Sequence, residues 1–238
     1  MAKEQRYLMQ DGVPLMTTTL WDYSSRTYPG GPQGDDDYAG ATPSYIIWNL
    51  LQRYTRPRHL VVDPMAGSGT TLDVARDLKR RALGYDLQPT RKDIFRADAR
   101  KLPLETAKAD FVFIDPPYST HLTYSGSEKC IGELDARSGP DYFEELDKVF
   151  AEMHRILRVD RYFALYVSDS ARKGKSFVPI GFELFARLRR RFTPVDIVAV
   201  VRHNRTLKRH HWHTSAVEGN YFLRGFNYLF IVKKEKKG

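Results

Sequence analysis

One stretch of eleven residues, VVDPMAGSGTT from Val61 to Thr71, constrains the fold of this chain more than any other. Apolar residues at Leu60 to Val62 indicate a buried strand, and the small residues from Ala66 to Gly69 indicate a tight turn. Thr70 then opens a helical pattern. A strand, a glycine loop and a helix N-terminus in this order allow a ligand to lie against bare backbone.

Strand patterns alternate with helical patterns after this point. The predicted strands are Leu60 to Val62, Ala82 to Asp86, Phe95 to Ala99, Phe111 to Ile114, Tyr162 to Val167, Val195 to Val201 and Tyr228 to Val232. The predicted helices run from Pro43 to Tyr54, Leu72 to Arg80, Tyr142 to Leu157 and Phe182 to Leu188. We expect Thr42 to cap the first helix, with Pro43 at its first position. The alternation indicates a mostly parallel sheet with helices on both faces, an α/β fold.

Residues 1–41 have no clear period and contain turn residues, whereas residues 42–238 have the pattern of a single domain. We interpret the first segment as an N-terminal arm that covers the surface of the domain. The alternative is a lid near the ligand, formed by the aromatic residues Trp21, Tyr23 and Tyr38 and the acidic run Asp35 to Asp37.

Composition limits the class of protein. The chain has 238 residues, is 42% hydrophobic and carries a formal net charge of +9, so it can bury one sizeable core and favours a polyanionic partner. No apolar run is long enough for a membrane span, so we expect a cytoplasmic protein without a membrane partner. The single cysteine, Cys130, fits a reducing compartment and excludes an internal disulfide framework. The low count of four asparagines suggests a thermophilic protein.

Three carboxylates, Asp63, Asp86 and Asp98, end successive predicted strands. In a wound parallel sheet these ends face one crevice, where such folds bind ligands. A dinucleotide oxidoreductase would share this geometry, but its fingerprint has three glycines as GxGxxG, and here only Gly67 and Gly69 are present. An aspartate entering the loop would repel phosphates and suits a cationic ligand. The simplest alternative is a plain strand-to-helix turn.

S-adenosylmethionine fits this description, because it carries a sulfonium, an ammonium, a ribose diol and an adenine amine. Asp63 would lie near the methionine amino group, directly or through water, and the loop N–H groups near the carboxylate. Asp86 would accept from the ribose hydroxyls. Asp98 would accept from adenine N6, with the Ala99 N–H near a ring nitrogen.

A second motif, Asp115-Pro116-Pro117-Tyr118, follows the fourth predicted strand. The proline pair cannot continue the strand ladder and leaves the Pro116 carbonyl unpaired by local structure. The Asp115 carboxylate and this carbonyl offer two acceptors to one NH2 group, which would aim the nitrogen lone pair at a methyl donor. Tyr118 would stack on the base that carries the amine. Such catalysis depends on positioning more than on strong base chemistry.

Together, DPMAGSGTT and DPPY resemble the amino-methyltransferases that act on adenine N6 or cytosine N4 of nucleic acids. The resemblance implies a Rossmann-like methyltransferase fold with a seven-stranded sheet and an antiparallel last strand. It also implies a flipped target base, and Thr42 and Pro43 at the methionine end of the cofactor. The product would be S-adenosylhomocysteine. The residues expected to bind the cofactor are Thr42, Pro43, Asp63, Pro64, Met65, Ala66, Gly67, Ser68, Gly69, Thr70, Thr71, Asp86, Asp98, Ala99 and Asp115.

Two features depart from this family. The sequence DPMAGSGTT is typical of permuted DNA methylases in which DPPY comes first, whereas in this chain the glycine loop precedes DPPY. The segment between the two motifs is also filled by strands of the sheet, which leaves no room for a sequence-reading domain. We therefore expect structured RNA, presented by shape, in preference to duplex DNA.

The basic, histidine-rich segment from Arg202 to His213 would contact the nucleic acid. Its alternative interpretation is a solvated basic loop, and no carboxylate spacing there supports a metal site. The residues expected to contact the substrate are Tyr118, Arg205, Lys208, Arg209 and Trp212, and those expected to act in catalysis are Asp115, Pro116, Pro117 and Tyr118. Ser168 and Asp169 either contact substrate or cap the following turn.

The leading hypothesis is a methyltransferase that modifies the exocyclic amine of a base in structured RNA, with ribosomal RNA as the first candidate. The alternatives are a small DNA methylase, a non-catalytic RNA-binding domain that kept the fold, and, less favoured by the charge, a small-molecule methyltransferase. Adenine and cytosine both stay open as the target base, as does the oligomeric state.

Overall fold

The structure of the protein is a computed structural model, and it describes residues 8–10, 13–23, 33–35, 38, 40–117, 130–137, 141–169, 176–203, 207 and 209–236. Its strands are β1 (Leu8–Gln10), β2 (Val13–Leu15), β3 (Leu20–Trp21), β4 (Leu60–Asp63), β5 (Arg81–Asp86), β6 (Ile94–Arg96), β7 (Ala109–Ile114), β8 (Leu157–Val167), β9 (Thr193–Val201) and β10 (Phe226–Lys234). Its helices are α1 (Ser44–Tyr54), α2 (Thr70–Asp77), α3 (Asp141–Ile156), α4 (Ile180–Leu188) and α5 (His210–Glu218), with a short 3-10 helix at Ile131–Glu133.

Eight strands form the main sheet in the order β3-β9-β10-β8-β7-β4-β5-β6. Only β10 runs antiparallel to its neighbours, β8 and β9. The predicted α/β fold with an antiparallel last strand is therefore confirmed, with one strand more than the seven expected. The additional strand is β3 of the N-terminal arm, which pairs in parallel with β9 through Leu20 opposite Ala199 and Trp21 opposite Val200.

The core lies on both faces of the sheet because neighbouring strand residues point in opposite directions. Val62 and Val112 face the cluster built with α3 and α4, whereas Val61 and Phe111 face the cluster built with α1 and α2. Helix α1 is buried along eight consecutive residues, Ser44 to Leu51. Trp21 of the arm joins the same cluster and is 2% exposed.

The N-terminus of α1 differs from the prediction. The helix begins at Ser44, Pro43 occupies the N-cap position, and no side chain caps the helix. The expected capping hydroxyl, that of Thr42, is instead bonded to the carboxylate of Asp115. A local cap was the wrong interpretation because the partner of Thr42 lies on a distant strand end.

Candidate active site

The two predicted motifs lie side by side at the carboxyl edge of the sheet. Strands β4 and β7 are neighbours in parallel, with Val61 opposite Phe111 and Val62 opposite Val112. From this pair the strand order continues through β5 and β6 on one side and through β8 on the other. Such a point of reversal opens a crevice for a ligand in wound α/β sheets. The glycine loop follows β4, and the Asp115–Pro117 turn follows β7.

The glycine loop is shaped by two residues with left-handed backbone conformations. Gly67 has φ +46° and Gly69 has φ +83°, conformations that are easily reached only without a Cβ. Gly69 occupies the N-cap position of α2, so the helix N-terminus opens directly from the loop. The Ala66 N–H donates to the Tyr85 carbonyl at 2.9 Å, which fixes the loop to the end of β5.

Asp63 holds this loop from within. Its Oδ1 accepts from the Met65 N–H at 3.0 Å and its Oδ2 accepts from the Thr71 hydroxyl at 2.6 Å. The residue is 4% exposed, and burial, with a smaller effect of the Asp86 charge, raises the pKa of Asp63 to about 7. The expected contact with a methionine amino group therefore competes with two bonds inside the loop. Pro64 and Met65 lie in the turn that these bonds close.

Asp86 ends β5 and is half-buried beside the loop. Its Oδ2 accepts from the Gly67 N–H at 3.0 Å, and its Oδ1 accepts from the Gln88 N–H at 2.9 Å. A carboxylate has about four lone-pair sites, so acceptor capacity remains for two hydroxyls. The N–H groups of the glycine loop and the partly exposed carboxylate of Asp86 together fit the ribose end of S-adenosylmethionine.

Asp98 and Ala99 follow β6. Arg100 grips the Asp98 carboxylate with two guanidinium nitrogens, at 2.8 Å and 2.5 Å, and also contacts Glu145 on α3. Ala99 is 5% exposed. No pattern in the sequence indicated Arg100 as a partner of Asp98. Because its guanidinium contacts both carboxylate oxygens, Asp98 shares them with a cation. A contact between Asp98 and adenine would use the carboxylate lone pairs that Arg100 does not occupy.

The turn after β7 is held from two sides. The Thr42 hydroxyl donates to Asp115 Oδ2 at 2.5 Å. The hydroxyl of Tyr142, a fully buried residue in the first turn of α3, donates to the Pro117 carbonyl at 2.8 Å. Among the residues that the structure describes, none donates a hydrogen bond to the Pro116 carbonyl. Tyr118, the fourth residue of the motif, lies outside the described residues.

Part of the N-terminal arm crosses the glycine loop. Gly34 has φ +78°, and its N–H donates to Asp73 Oδ2 on α2 at 2.9 Å. A Cβ at Gly34 would lie 2.4 Å from Thr70 Oγ1 and 2.7 Å from Ser68 Oγ. The arm backbone therefore lies against Ser68 of the glycine loop and Thr70, the first residue of α2. The interpretation of the arm as a simple surface cover does not account for this close approach.

Tyr38, also in the arm, lies against the glycine loop. Its ring atoms would be 3.2 Å from a Cβ at Gly67. Burial, and then the charges of Asp86 and Asp115, raise the pKa of Tyr38, which places its hydroxyl within electrostatic reach of both carboxylates. Tyr38 appeared in the sequence analysis only within the lid alternative. The turn residues around Tyr38 in the sequence do not indicate which residues it would contact.

Of the predicted substrate residues, the structure describes Arg209 and Trp212. Arg209 precedes α5, a helix without buried residues, and Trp212 within it is 39% exposed. The sequence analysis did not predict α5. Arg205 and Lys208 lie outside the described residues. Since β9 runs parallel to β8, the segment after Val201 leaves the sheet at the same edge as the two motifs.

Ser168 and Asp169 follow β8. Asp169 Oδ1 accepts from the Gly181 N–H in the first turn of α4 at 2.9 Å, and its Oδ2 accepts from the Tyr228 hydroxyl at 3.2 Å. Asp169 therefore joins the end of β8 to the first turn of α4, whereas the turn that directly follows Asp169 lies outside the described residues. Among the described helices, none is both long and apolar enough to cross a bilayer. The same part of the chain contains no group of three potential metal-ligating side chains.

Comparison with known families gives a match to the model of the N6/N4 methyltransferases, described as DNA methylase, over residues 2–97. The match includes the arm, α1 and the glycine loop, and ends before the Asp115–Tyr118 motif. No curated protein matches the chain.

Solved structures show the fold. A 1,6-didemethyltoxoflavin-N1-methyltransferase from Burkholderia thailandensis, with bound S-adenosylhomocysteine, aligns over 84% of this chain and 80% of its own at 17% identity and a TM-score of 0.51. A geranyl diphosphate methyltransferase in complex with S-adenosylmethionine aligns over 85% and 93% at 14% identity, with a TM-score of 0.51.

A protein described as a DNA modification methylase from Thermus thermophilus aligns with a TM-score of 0.43 and 19% identity, and the chain covers about half of it, 52%. The two methyltransferase structures hold S-adenosylhomocysteine and S-adenosylmethionine, which agrees with the predicted cofactor. Residues 2–97 of the chain therefore resemble the N6/N4 methyltransferase family, and the chain as a whole has the fold of these two methyltransferases.

Proposed function

We propose that this chain transfers a methyl group from S-adenosylmethionine to the exocyclic amine of a nucleic-acid base, N4 of cytosine or N6 of adenine, in structured RNA. One observation carries the proposal. The Asp115–Pro117 turn and the glycine loop follow adjacent parallel strands, and the Thr42 hydroxyl is bonded to Asp115. This adjacency supports an amine acceptor and a cofactor loop within one site.

The residues of the turn suit an NH2 group. Asp115 offers a carboxylate and Pro116 a carbonyl, and both lie on a backbone that two prolines stiffen. Tyr142 and Thr42 fix this turn from opposite sides. Two acceptors that hold both amine hydrogens would orient the nitrogen lone pair. The cofactor, when bound, supplies an electrophilic methyl group, and the methylated nitrogen releases its proton readily, so no strong base is needed.

The segment between the motifs supports RNA as the substrate class. Residues 72–114 form the remainder of α2 and strands β5, β6 and β7, so no sequence-reading domain is inserted there. The segment after β9 instead carries exposed cationic and aromatic side chains, including Arg209 and Trp212. Recognition of a structured substrate by its shape and backbone needs only such surfaces.

A second candidate is methylation of the same amines in DNA. The observation that favours it is the family model over residues 2–97, which is described as DNA methylase. Both candidates use the same catalytic residues and differ only in the polynucleotide.

The test is methyl transfer from labelled S-adenosylmethionine to ribosomal RNA, isolated ribosomal subunits and genomic DNA from cells that lack this protein, with the modified nucleoside identified by mass spectrometry. Label in one RNA supports the first candidate, and label only in DNA supports the second. Asp115→Ala should abolish transfer and retain cofactor binding. Normal turnover by Asp115→Ala would contradict the assigned amine acceptor, and no label in any polynucleotide would contradict both candidates.

A further inference from the structure

The structure has a second set of exposed side chains near the site. Phe177, Phe182 and Phe226 are 52%, 65% and 43% exposed, and the Arg224 guanidinium lies 5.2 Å from the Phe177 ring centre. We infer, resting on the proposed function, that these four residues form a surface on which unpaired nucleotides flanking the target base stack. We call it the aromatic surface.

The sheet register places the aromatic surface beside the catalytic turn. Ile114, which precedes Asp115, is opposite Leu165 on β8, and Val167 on β8 is opposite Tyr228 on β10. Because neighbouring strands lie about 4.8 Å apart, Tyr228 is about 10 Å across the sheet from β7. The rings of Phe182 and Phe226 lie 5.7 Å and 5.1 Å from the Tyr228 ring. At about 3.4 Å per stacked nucleotide, this separation is about three nucleotides.

The exposed rings rest on a rigid base. The Tyr228 hydroxyl donates to Asp169, which also accepts from the Gly181 N–H. A Cβ at Gly181 would lie 2.4 Å from the Tyr228 ring, so the first turn of α4 packs directly on it. The Tyr228 ring also stacks on Phe230, 5.4 Å away within the core. The positions of the outer rings are therefore set before any ligand binds, which lowers the entropic cost of binding.

The charge beside these rings matches a polyanion. Arg224 covers Phe177, and Arg202, at the end of β9, reaches Ser168 Oγ at 3.4 Å. The carboxylate of Asp169 is buried, with both oxygens engaged, and Glu183 of α4 is paired with Arg187. Guanidinium groups next to exposed aromatic rings suit phosphates and base faces together. Stacked bases inside a duplex cannot reach such rings, so the surface fits a single-stranded segment.

The experiment compares Phe177→Ala/Phe182→Ala with Phe95→Ala. Phe95 is equally exposed, at 52%, but lies on β6 at the opposite edge of the sheet. The probes are a fluorescein-labelled mixed-sequence RNA of about 12 nucleotides, its DNA counterpart and the corresponding duplexes, measured by anisotropy. The double variant should bind both single strands about 5- to 100-fold more weakly. Phe95→Ala should bind as wild type, and the affinity of all variants for S-adenosylhomocysteine should be unchanged.

Arg224→Gln provides a second measurement that does not depend on truncating a ring. If Arg224 contacts a phosphate, the slope of log affinity against log salt for single strands should become shallower by about 0.7. An unchanged slope together with unchanged affinity would contradict the role of Arg224.

Three outcomes would overturn the inference in distinguishable ways. If the wild type methylates a polynucleotide and the double variant binds single strands equally well, the aromatic surface is not used. If the double variant loses self-association in sedimentation velocity while oligonucleotide binding is unchanged, the surface is an interface between copies. If the wild type neither binds nor methylates any polynucleotide, the proposed function itself fails. Thermal unfolding followed by circular dichroism confirms that each variant is folded.

Discussion

The Thr42 hydroxyl donates a 2.5 Å hydrogen bond to Asp115 Oδ2, across 73 positions of sequence. This bond joins the segment before α1 to the catalytic turn and fixes the rotamer of the carboxylate proposed to hold the amine. Hydrogen bonds to charged groups contribute about 1.5–3 kcal/mol.

Thr42→Val preserves the shape of the side chain and removes this donor. We expect kcat for methyl transfer to fall about 10- to 100-fold, because Asp115 would sample other rotamers. Thr42→Ser should restore most of the rate. Wild-type turnover by the valine variant would show that Asp115 is held by other contacts.

Asp86→Ala removes the carboxylate that accepts from the Gly67 and Gln88 N–H groups. We expect the Kd for S-adenosylhomocysteine, measured by calorimetry, to rise about 10- to 100-fold. Asp160→Ala is the matched control, since that carboxylate is 70% exposed and paired with Lys233 at the other end of the sheet. Equal affinities of the two variants for S-adenosylhomocysteine would show that Asp86 does not contact the cofactor.

Asp63→Asn should change how stability depends on pH. Burial raises the pKa of Asp63 to about 7, so the folded protein binds a proton between about pH 4 and 7 that the unfolded chain has released. The wild type therefore loses stability through Asp63 as the pH rises over this window. The asparagine variant lacks this loss. As the pH rises from about 4 to 7, its free energy of unfolding should therefore increase relative to that of the wild type, by up to about 4 kcal/mol.

Urea unfolding of both proteins at a series of pH values measures this difference, since all other ionisable groups are shared. Parallel curves for the two proteins between pH 4 and 8 would show that Asp63 titrates near its ordinary value.

Gly34→Ala tests the contact between the arm and the loop. The new Cβ would lie 2.4 Å from Thr70 Oγ1 at a backbone φ of +78°, so the arm must move. We expect a loss of about 1–3 kcal/mol in stability and weaker cofactor binding. Gly225→Ala is the control, because a Cβ there meets nothing within 4 Å. If both alanine variants are equally harmless, the arm does not support the cofactor loop.

The central strands were predictable because their signals are local. Buried strands in a parallel sheet are continuous apolar runs, and β4, β5 and β7 lie within two residues of their predicted ends. The glycine loop and the Asp115 turn could be predicted because few other local structures require these residue types. These features were sufficient to identify the edge of the sheet at which the site forms.

The missed features depend on contacts distant in sequence. Thr42 has the pattern of a helix cap, and only the sheet brings it to Asp115. Helix α5 has no buried residue, so no apolar period marks it. Gly34 is ordinary turn material in the sequence, and its requirement for glycine comes from Ser68 and Thr70. Likewise, nothing in the sequence near Asp98 assigns Arg100 to its carboxylate rather than to solvent.

The pairing of β3 with β9 has a consequence for biosynthesis. Leu20 lies opposite Ala199, a separation of 199 − 20 = 179 positions, so this arm strand can dock only after β9 has emerged from the ribosome. The same arm continues to Gly34 and Tyr38 on the glycine loop. A nascent or prematurely terminated chain lacking β9 cannot anchor its arm at both points. Synthesis of β9 is therefore required before the arm can be anchored at both points.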